Sequence, residues 1–291
     1  MYVIQRKEVL SDTTKLLEVE APLIARKARP GQFVIVRIDE TGERIPLTVA
    51  DFNEQAGTIT LVFQEVGKST GQMGQLSVGE GFQNVAGPLG HPSEIKNYGT
   101  VVMVGGGAGI APVFPITRAL KQAGNRVLSI IGARNQSLLF WEDRMASCSD
   151  QLTVCTDDGS VGSKALVTEP LQKILKNEVD IARIWAIGPA VMMKHVTEVA
   201  RPYNIPVIVS LNTIMIDGTG MCGGCRVKYN QEVKFVCVDG PEFDGRLVDW
   251  DNLASRLSFY RAQEKEALDR WEAHQCGSDI HQPEISVGSK A

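Results

Sequence analysis

The chain has 291 residues, a formal net charge of −4, 43% hydrophobic residues and 22% charged residues. That length calls for two domains or more, built on a core of ordinary globular size. No basic cluster marks a nucleic-acid surface and no apolar run reaches the ~18 residues of a membrane span; an N-terminus that meets Arg6, Lys7 and Glu8 before any apolar run is not a secretory leader, so a cytoplasmic protein is expected.

Residues 1–97 read as short strands between turns. Phe33–Val36 follows Pro30-Gly31, Thr58–Phe63 follows Ala56-Gly57, and glycines recur at 67, 71, 74, 79, 81, 87 and 90. Short strands with regular turn signals predict a small antiparallel β-barrel. Two of its segments carry groups suited to a dinucleotide. Arg44-Ile45-Pro46-Leu47-Thr48, placed at a strand end, offers a guanidinium that matches phosphate oxygens and a hydroxyl that can bond a ring nitrogen. Gly67-Lys68-Ser69-Thr70-Gly71 offers backbone N–H groups to a phosphate. Taken alone, the first reads as a strand edge and the second as a plain turn.

From 98 to 209 the texture changes to alternating apolar runs and helix-length segments. The runs are Val101–Val104, Val127–Ile131, Leu152–Cys155, Ile181–Ile187 and Pro206–Val209. The helical segments are Val113–Gln122, Leu138–Ala146, Lys164–Lys176 and Ala190–Arg201. This alternation predicts βαβ units and an α/β parallel sheet. The first run leads into Gly105-Gly106-Gly107-Ala108-Gly109-Ile110-Ala111-Pro112 and then a helix. Glycines there admit a phosphate to the backbone, and the helix start offers free N–H groups. Pro112 departs from the G-x-G-x-x-G fingerprint but suits a first helical turn. Arg134 ends the second strand, where a basic residue can meet a 2′-phosphate or stack on adenine, so NAD and NADP stay open on the residues alone.

Residues 210–250 are rich in Gly, Cys and Asp. Asp217, Cys222, Cys225 and Cys237 are spaced D-x4-C-x2-C-x11-C. Plant-type [2Fe–2S] sites read C-x4-C-x2-C…C, so three of four positions match and aspartate holds the first. Clustered cysteines in a long intracellular chain favour ligation over disulfides. A Cys3Asp zinc site fits the same residues, and so does a cluster whose fourth ligand is His195, Cys155 or water, with Asp217 a turn residue. Residues 251–291 begin with a helix over Asp251–His274, capped by Asp249 or Asp251, whose apolar stripe faces either this chain or a partner. A polar tail containing Cys276 follows.

Taken together, R-x-P-L-T in a barrel, G-G-G-A-G-I-A-P in a nucleotide domain and a C-terminal cysteine loop resemble the ferredoxin–NADP reductase-like electron-transfer subunits. The resemblance covers residues 1 to about 260. The family includes the dihydroorotate dehydrogenase electron-transfer subunit, with four cysteines. It also includes the small subunit of NADH-dependent reduced ferredoxin:NADP oxidoreductase, known too as the sulfide dehydrogenase small subunit, which has aspartate in the first slot. It implies an FAD-binding barrel (1–97), an NAD(P)-binding domain (98–209), a [2Fe–2S] domain (210–250) and a C-terminal helix and tail (251–291). It implies FAD contacts at Arg44, Pro46, Leu47 and Thr48, with Thr48 next to the reacting ring, and at Gly67, Lys68, Ser69 and Thr70. Gly105 to Pro112, Asp157, Asp158, Gly188, Pro189 and Met192 would meet NAD(H), and Asp217, Cys222, Cys225 and Cys237 the cluster. A large partner subunit with a second FAD and two [4Fe–4S] clusters would complete a heterodimer that connects to ferredoxin and NADP(H). A dihydroorotate- or sulfide-linked partner is the alternative within this family, and a zinc-stabilised, flavin-free binding subunit is the alternative outside it.

Overall fold

The computed structural model describes residues 1–275; Cys276 and the rest of the expected tail lie outside the described residues. The first sheet contains β1 (Tyr2–Val9), β2 (Thr14–Glu20), β3 (Phe33–Arg37), β4 (Ile45–Asn53), β5 (Thr58–Gln64), β6 (Gly81–Phe82) and β7 (Asn84–Leu89). Its spatial order is β6-β1-β2-β5-β4-β3-β7, antiparallel throughout, and it curls into the near-closed barrel that the turn spacing predicted. Alternation along these strands puts Ile4, Leu17, Val19, Val34, Val36, Ile59 and Leu61 inside, all essentially without solvent exposure. Helix α1 (Pro22–Ala25) adds Ile24 and Ala25 to this core, and α2 (Lys68–Gln75) follows β5. The Arg44–Thr48 segment leads into β4 and forms its first residues, rather than ending a strand as the sequence suggested.

The second sheet is built from β8 (Thr100–Gly106), β9 (Arg126–Ala133), β10 (Gln151–Thr156), β11 (Ser163–Lys164), β12 (Ile181–Ile187) and β13 (Val207–Ser210). These strands are mutually parallel, and the sheet runs β11-β10-β9-β8-β12-β13 before a last, antiparallel edge strand. Helices α3 (Ile110–Gln122), α4 (Glu142–Ser147), α5 (Thr168–Asn177) and α6 (Ala190–Ala200) cover it. Burial on both faces explains the continuous apolar runs: Val101 to Val104 are all fully buried, alternating between two separate cores.

Two predicted helices start later than periodicity implied. Leu138–Ala146 is helical only from Glu142, because Trp141 takes a left-handed conformation (φ 60°) and its ring stacks under Arg144, 4.2 Å from the ring centre. Lys164–Lys176 begins at Thr168, since Ser163 and Lys164 extend the sheet beside Cys155 and Thr156. Acidic residues in the first turn at 142–143 and Pro170 near the start of α5 are the local signals of both true starts.

The remaining elements are a hairpin of β14 (Arg226–Tyr229) and β15 (Glu232–Phe235), the single turn α7 (Val236–Asp239), the edge strand β16 (Glu242–Asp244), and helices α8 (Trp250–Leu257) and α9 (Arg261–Gln275). The expected single helix from 251 to 274 is broken at 258–260, where Phe259 and Tyr260 turn edge to face with centroids 4.9 Å apart. Asp249 caps α8 by accepting from Asn252 N–H at 2.9 Å, as expected.

Barrel and parallel sheet are fastened at two seams. Asp51 of β4 receives Arg118 from α3 and Arg144 from α4, each at 2.6 Å. At the other seam Ser93 Oγ donates to Glu242 Oε1 at 2.6 Å, tying the linker between the sheets to β16. Glu242 is half-buried, and desolvation of its carboxyl pushes the pKa upward; Ser93, the Trp185 indole and Arg183 oppose that shift only in part. A native carboxyl whose pKa is raised binds its proton more tightly than the unfolded chain does. Its stabilising effect is therefore complete below the ordinary value near 4.5 and is lost as pH rises through the higher folded value. Glu242→Gln keeps the acceptor for Ser93. It is expected to stabilise the protein by about 1–3 kcal/mol at neutral pH and to converge with wild type in acid. Thermal unfolding across pH checks this; parallel curves for the two proteins would show that Glu242 ionises freely.

Candidate functional site: a two-dinucleotide cleft beside a paired ligand loop

In chain order the central strands of the second sheet lie 3-2-1-4-5, so connections leave β8 in opposite directions on its two sides. In open α/β sheets the crevice for a ligand lies at the carboxyl ends of the strands at this switch point. Here those ends are Gly105-Gly106 of β8 and Ile187 of β12, in direct register. Gly106, Gly107, Ala108, Gly109 and Pro112 on one side, and Gly188, Pro189 and Met192 on the other, line a cleft of about 1580 Å³. Its opposite wall comes from the barrel: Arg44, Pro46, Leu47, Thr48 and Thr70. Arg134 and Asp157 close the far end. Residues called from separate motifs thus face one space.

The remaining expected contacts are placed differently. Gly105 lies buried within β8, and Ile110 and Ala111 are fully buried on the face of α3 turned to the sheet. Gly67 caps α2, with Thr70 Oγ1 accepting from Val66 and Gly67 N–H at 3.0 and 3.1 Å, so this segment is a helix start rather than a simple turn. Lys68 opens α2, and Ser69 is buried and donates to Glu43. Asp158 holds its own turn, accepting from Ser160 N–H and Oγ at 2.9 and 2.7 Å; the Ser160 contacts also hold its pKa below the usual carboxylate value.

The cleft suits phosphate-bearing dinucleotides. Gly107 has φ +54°, and no atom stands within 4 Å of where its Cβ would be; Gly67 likewise faces open space. At Gly109 the requirement is the reverse: a Cβ would overlap the Ile187 carbonyl, so only glycine lets the β8–α3 turn lie on β12. Arg44 and Arg134 are exposed on the cleft and form no ion pair among the described residues, leaving two guanidinium groups for anions. Sequence reasoning missed the run Ser210–Ile216, which also lines the cleft and ends one residue before Asp217. It lacks any motif. Within it Thr213 is buried, and its hydroxyl has no hydrogen-bond partner among the described residues.

The four expected cluster ligands form two pairs. Cys225 and Cys237 are buried, with sulfurs 3.2 Å apart, one at the start of the hairpin and one in α7 behind it. Burial, and then the neighbouring Cys225, raise the Cys237 thiol pKa; a coordinating thiol is deprotonated outright. Asp217 and Cys222 form the outer pair. Asp217 accepts Thr219 N–H through one oxygen and Cys222 N–H through the other, both at 2.8 Å; these backbone donors, Thr219 first, lower its pKa. Cys222 is exposed and accepts from Gly224 N–H at 3.4 Å. Among the described residues no three Cys, His, Asp or Glu side chains converge as a single ion requires. His195 lines the cleft and Cys155 donates to the Ile131 carbonyl, so neither joins the cysteine pair. Two pairs, one inner and one outer, fit a binuclear centre, which takes two protein ligands on each iron.

The ligand loop also touches the barrel. A Cβ on Gly218 would stand 2.8 Å from Leu89 and 3.0 Å from Ile35, and Ile35 pairs across β3–β4 with Pro46. One strand therefore separates the loop from the segment that begins with Arg44. Among the described residues no helix is long and apolar enough to cross a membrane.

The chain is similar to known proteins along most of its length. The family described as the iron-sulfur cluster binding domain of dihydroorotate dehydrogenase B matches residues 212–249. A Thermotoga maritima protein named dihydroorotate dehydrogenase B (NAD(+)), electron transfer subunit homolog, is 50% identical over 87% of this chain and 89% of its own length. The electron transfer subunit of that name from Desulforamulus reducens is 32% identical over 84% of this chain and 95% of its own. Among solved structures, a chain from a study of flavin-based electron bifurcation in NADH-dependent reduced ferredoxin-NADP oxidoreductase superposes with TM-score 0.89 and 46% identity, covering 94% of this chain and 98% of that one. Phthalate dioxygenase reductase, at 15% identity and TM-score 0.58, shares the fold. The chain therefore belongs to the family of dihydroorotate dehydrogenase B electron transfer subunits, oxidoreductase components with a ferredoxin reductase-like fold that bind FAD, NAD(H) and, in the C-terminal domain, a [2Fe–2S] cluster.

Proposed function

We propose that this chain is the small subunit of an electron-bifurcating NADH-dependent reduced ferredoxin:NADP oxidoreductase, working in the cytoplasm as a heterodimer with a large flavin- and [4Fe–4S]-bearing subunit. The observation that carries this reading is Asp217. It stands in the outer pair with Cys222, its carboxylate held ionised by backbone donors and available to iron in the slot where the dihydroorotate dehydrogenase branch has cysteine. The extended similarity to the oxidoreductase chain supports the same branch.

Bound together, the cofactors supply exchange between hydride transfer and one-electron transfer. The chain's own residues do the placing. Arg44 and the start of α2 at Gly67, Lys68 and Thr70 would hold the FAD diphosphate, and Pro46, Leu47 and Thr48 would line the flavin-ring end of the cleft, with the Thr48 hydroxyl as a hydrogen-bonding group for the ring. Gly106 to Gly109 with Gly188, Pro189 and Met192 hold NAD(H), with Arg134 and Asp157 at its adenosine end. Pro112 lies in the first turn of α3 on the cleft wall, and Gly105, Ile110, Ala111, Ser69 and Asp158 shape these walls from behind. Leu211 to Ile216 exclude water between the cleft and the ligand loop. Cys225 and Cys237 would supply the buried ligands of the cluster and Asp217 and Cys222 the exposed ones, on the side open to a partner.

Asp217→Cys separates the branches. Dithionite-reduced wild-type protein is expected to show an S = ½ EPR signal that shifts in the variant while iron content stays the same. A signal indifferent to the substitution would remove Asp217 from the iron and favour the dihydroorotate-linked reading that the Thermotoga relative's name supports. Iron-replete protein without any signal would end the cluster assignment.

A further inference from the structure

Residues 250–275 lie beyond the 212–249 range of the cluster-domain family, and nothing assigns them a role. Helix α8 is pinned to the parallel-sheet side. Leu253 is buried, Lys194 of α6 reaches Asp251 at 3.0 Å, and Arg256 donates to the Gly224 carbonyl at 2.9 Å. The chain then turns at 258–260, and α9 runs to the barrel. There the Trp271 indole lies on α2, where a Cβ at Gly71 would stand 2.8 Å from its ring. Between these ends Tyr260, Gln263, Glu264 and Ala267 line the cleft.

The composition of α9 suits a bridge rather than a core helix. Its sequence is polar nearly all round, and Lys265–Asp269 and Arg270–Glu266 support it as i,i+4 pairs. A helix of this kind keeps its shape without burial, so little but its contacts with the cleft and with α2 decides where it lies.

We propose that α9 is the outer wall of the FAD site, held shut by the seating of Trp271 on Gly71, so that the flavin dinucleotide is retained by a compartment built from both ends of the chain. The ligand is the flavin rather than the nicotinamide dinucleotide because α9 docks on α2, directly after the Gly67–Thr70 segment whose Thr70 lines the same cleft. The inference rests on the flavoprotein reading above. The wall acts through access: no atom of Trp271 need touch FAD, and the indole is a positioning residue.

The test uses the full chain, loaded with FAD, as wild type, Trp271→Ala, Gly71→Ala and the double variant. Alanine at 71 improves the helix propensity of α2, so a loss there reports the wedge under the indole and not an unfolded helix. Each single variant is expected to release FAD at least about tenfold faster, read by the rise in free-flavin fluorescence after dilution, a change of about 1.4 kcal/mol. The double variant should be no faster than Trp271→Ala, because both substitutions remove one contact. NADH affinity should stay within twofold of wild type by the same reasoning. Wild-type release rates in both single variants would overturn the inference while leaving the flavoprotein reading intact. A wild-type chain that takes up no FAD would remove that reading and the inference with it.

Discussion

Cys225→Ser is expected to strip the protein of its iron. Cys225 is fully buried, its sulfur lies 3.2 Å from that of Cys237, and it also accepts the Cys237 N–H at 3.5 Å, so it positions its partner as well as offering a ligand. A serine oxygen is smaller and harder than a thiolate, and the buried site cannot shift to meet it. Changes merely behind a metal ligand cost about 10- to 100-fold in affinity, so loss of this ligand should cost at least that. Iron per chain and long-wavelength visible absorption should both collapse while the flavin bands remain. Cys222→Ser, at the exposed edge of the loop, should be milder and leave a partly occupied site. Cys225 and Cys237 also belong to the core shared with the parallel sheet, so the buried substitution should lower the unfolding temperature as well. Unchanged iron content in Cys225→Ser would show that the centre is held elsewhere.

Gly107→Val should block the nicotinamide dinucleotide with little effect on flavin. The position has φ +54° and open space before it, so an added side chain projects into the cleft at the end of β8. The left-handed backbone costs a valine roughly 1–2 kcal/mol, and the branched side chain fills the approach of the diphosphate. NADH Kd should rise at least about tenfold, while FAD content and the flavin spectrum stay as in wild type. Gly109→Ala makes the necessary contrast. Its Cβ would press on the Ile187 carbonyl behind the cleft wall, so it should lower the unfolding temperature whether or not a nucleotide is present. Isothermal titration with NADH beside thermal unfolding distinguishes the two. Tight NADH binding by Gly107→Val would move the dinucleotide off this turn.

The cleft and the ligand loop are coupled by geometry that neither motif contains. Gly218 packs on Ile35 of β3, β3 carries the strand that begins with Ile45 and Pro46, and Leu211 to Ile216 run along the cleft before reaching Asp217. Residues some 180 positions apart are thereby separated by the thickness of one strand. For a subunit that passes electrons this proximity matters, because it sets the cleft and the expected cluster loop on neighbouring strands of the chain.

The sequence by itself determined what is encoded locally. Short strands between regular turn signals in the first hundred residues, and apolar runs alternating with helix-length segments thereafter, distinguished a barrel from a parallel sheet, because turn chemistry and element length are written in neighbouring residues. The glycines of the β8–α3 turn, the cap Asp249 and the D-x4-C-x2-C-x11-C spacing were legible for a similar reason: backbone turns and ligand loops are decided by neighbours a few residues away. Only the tertiary structure decided the rest. It divided the four expected ligands into a buried and an exposed pair, set the unmarked run Ser210–Ile216 into the cleft wall, sent β16 to the edge of the parallel sheet, and broke the last helix at 258–260 so that Trp271 reaches Gly71. Those outcomes depend on surfaces brought together from distant parts of the chain, and a polar helix such as α9 carries no periodic signal of the surface it covers.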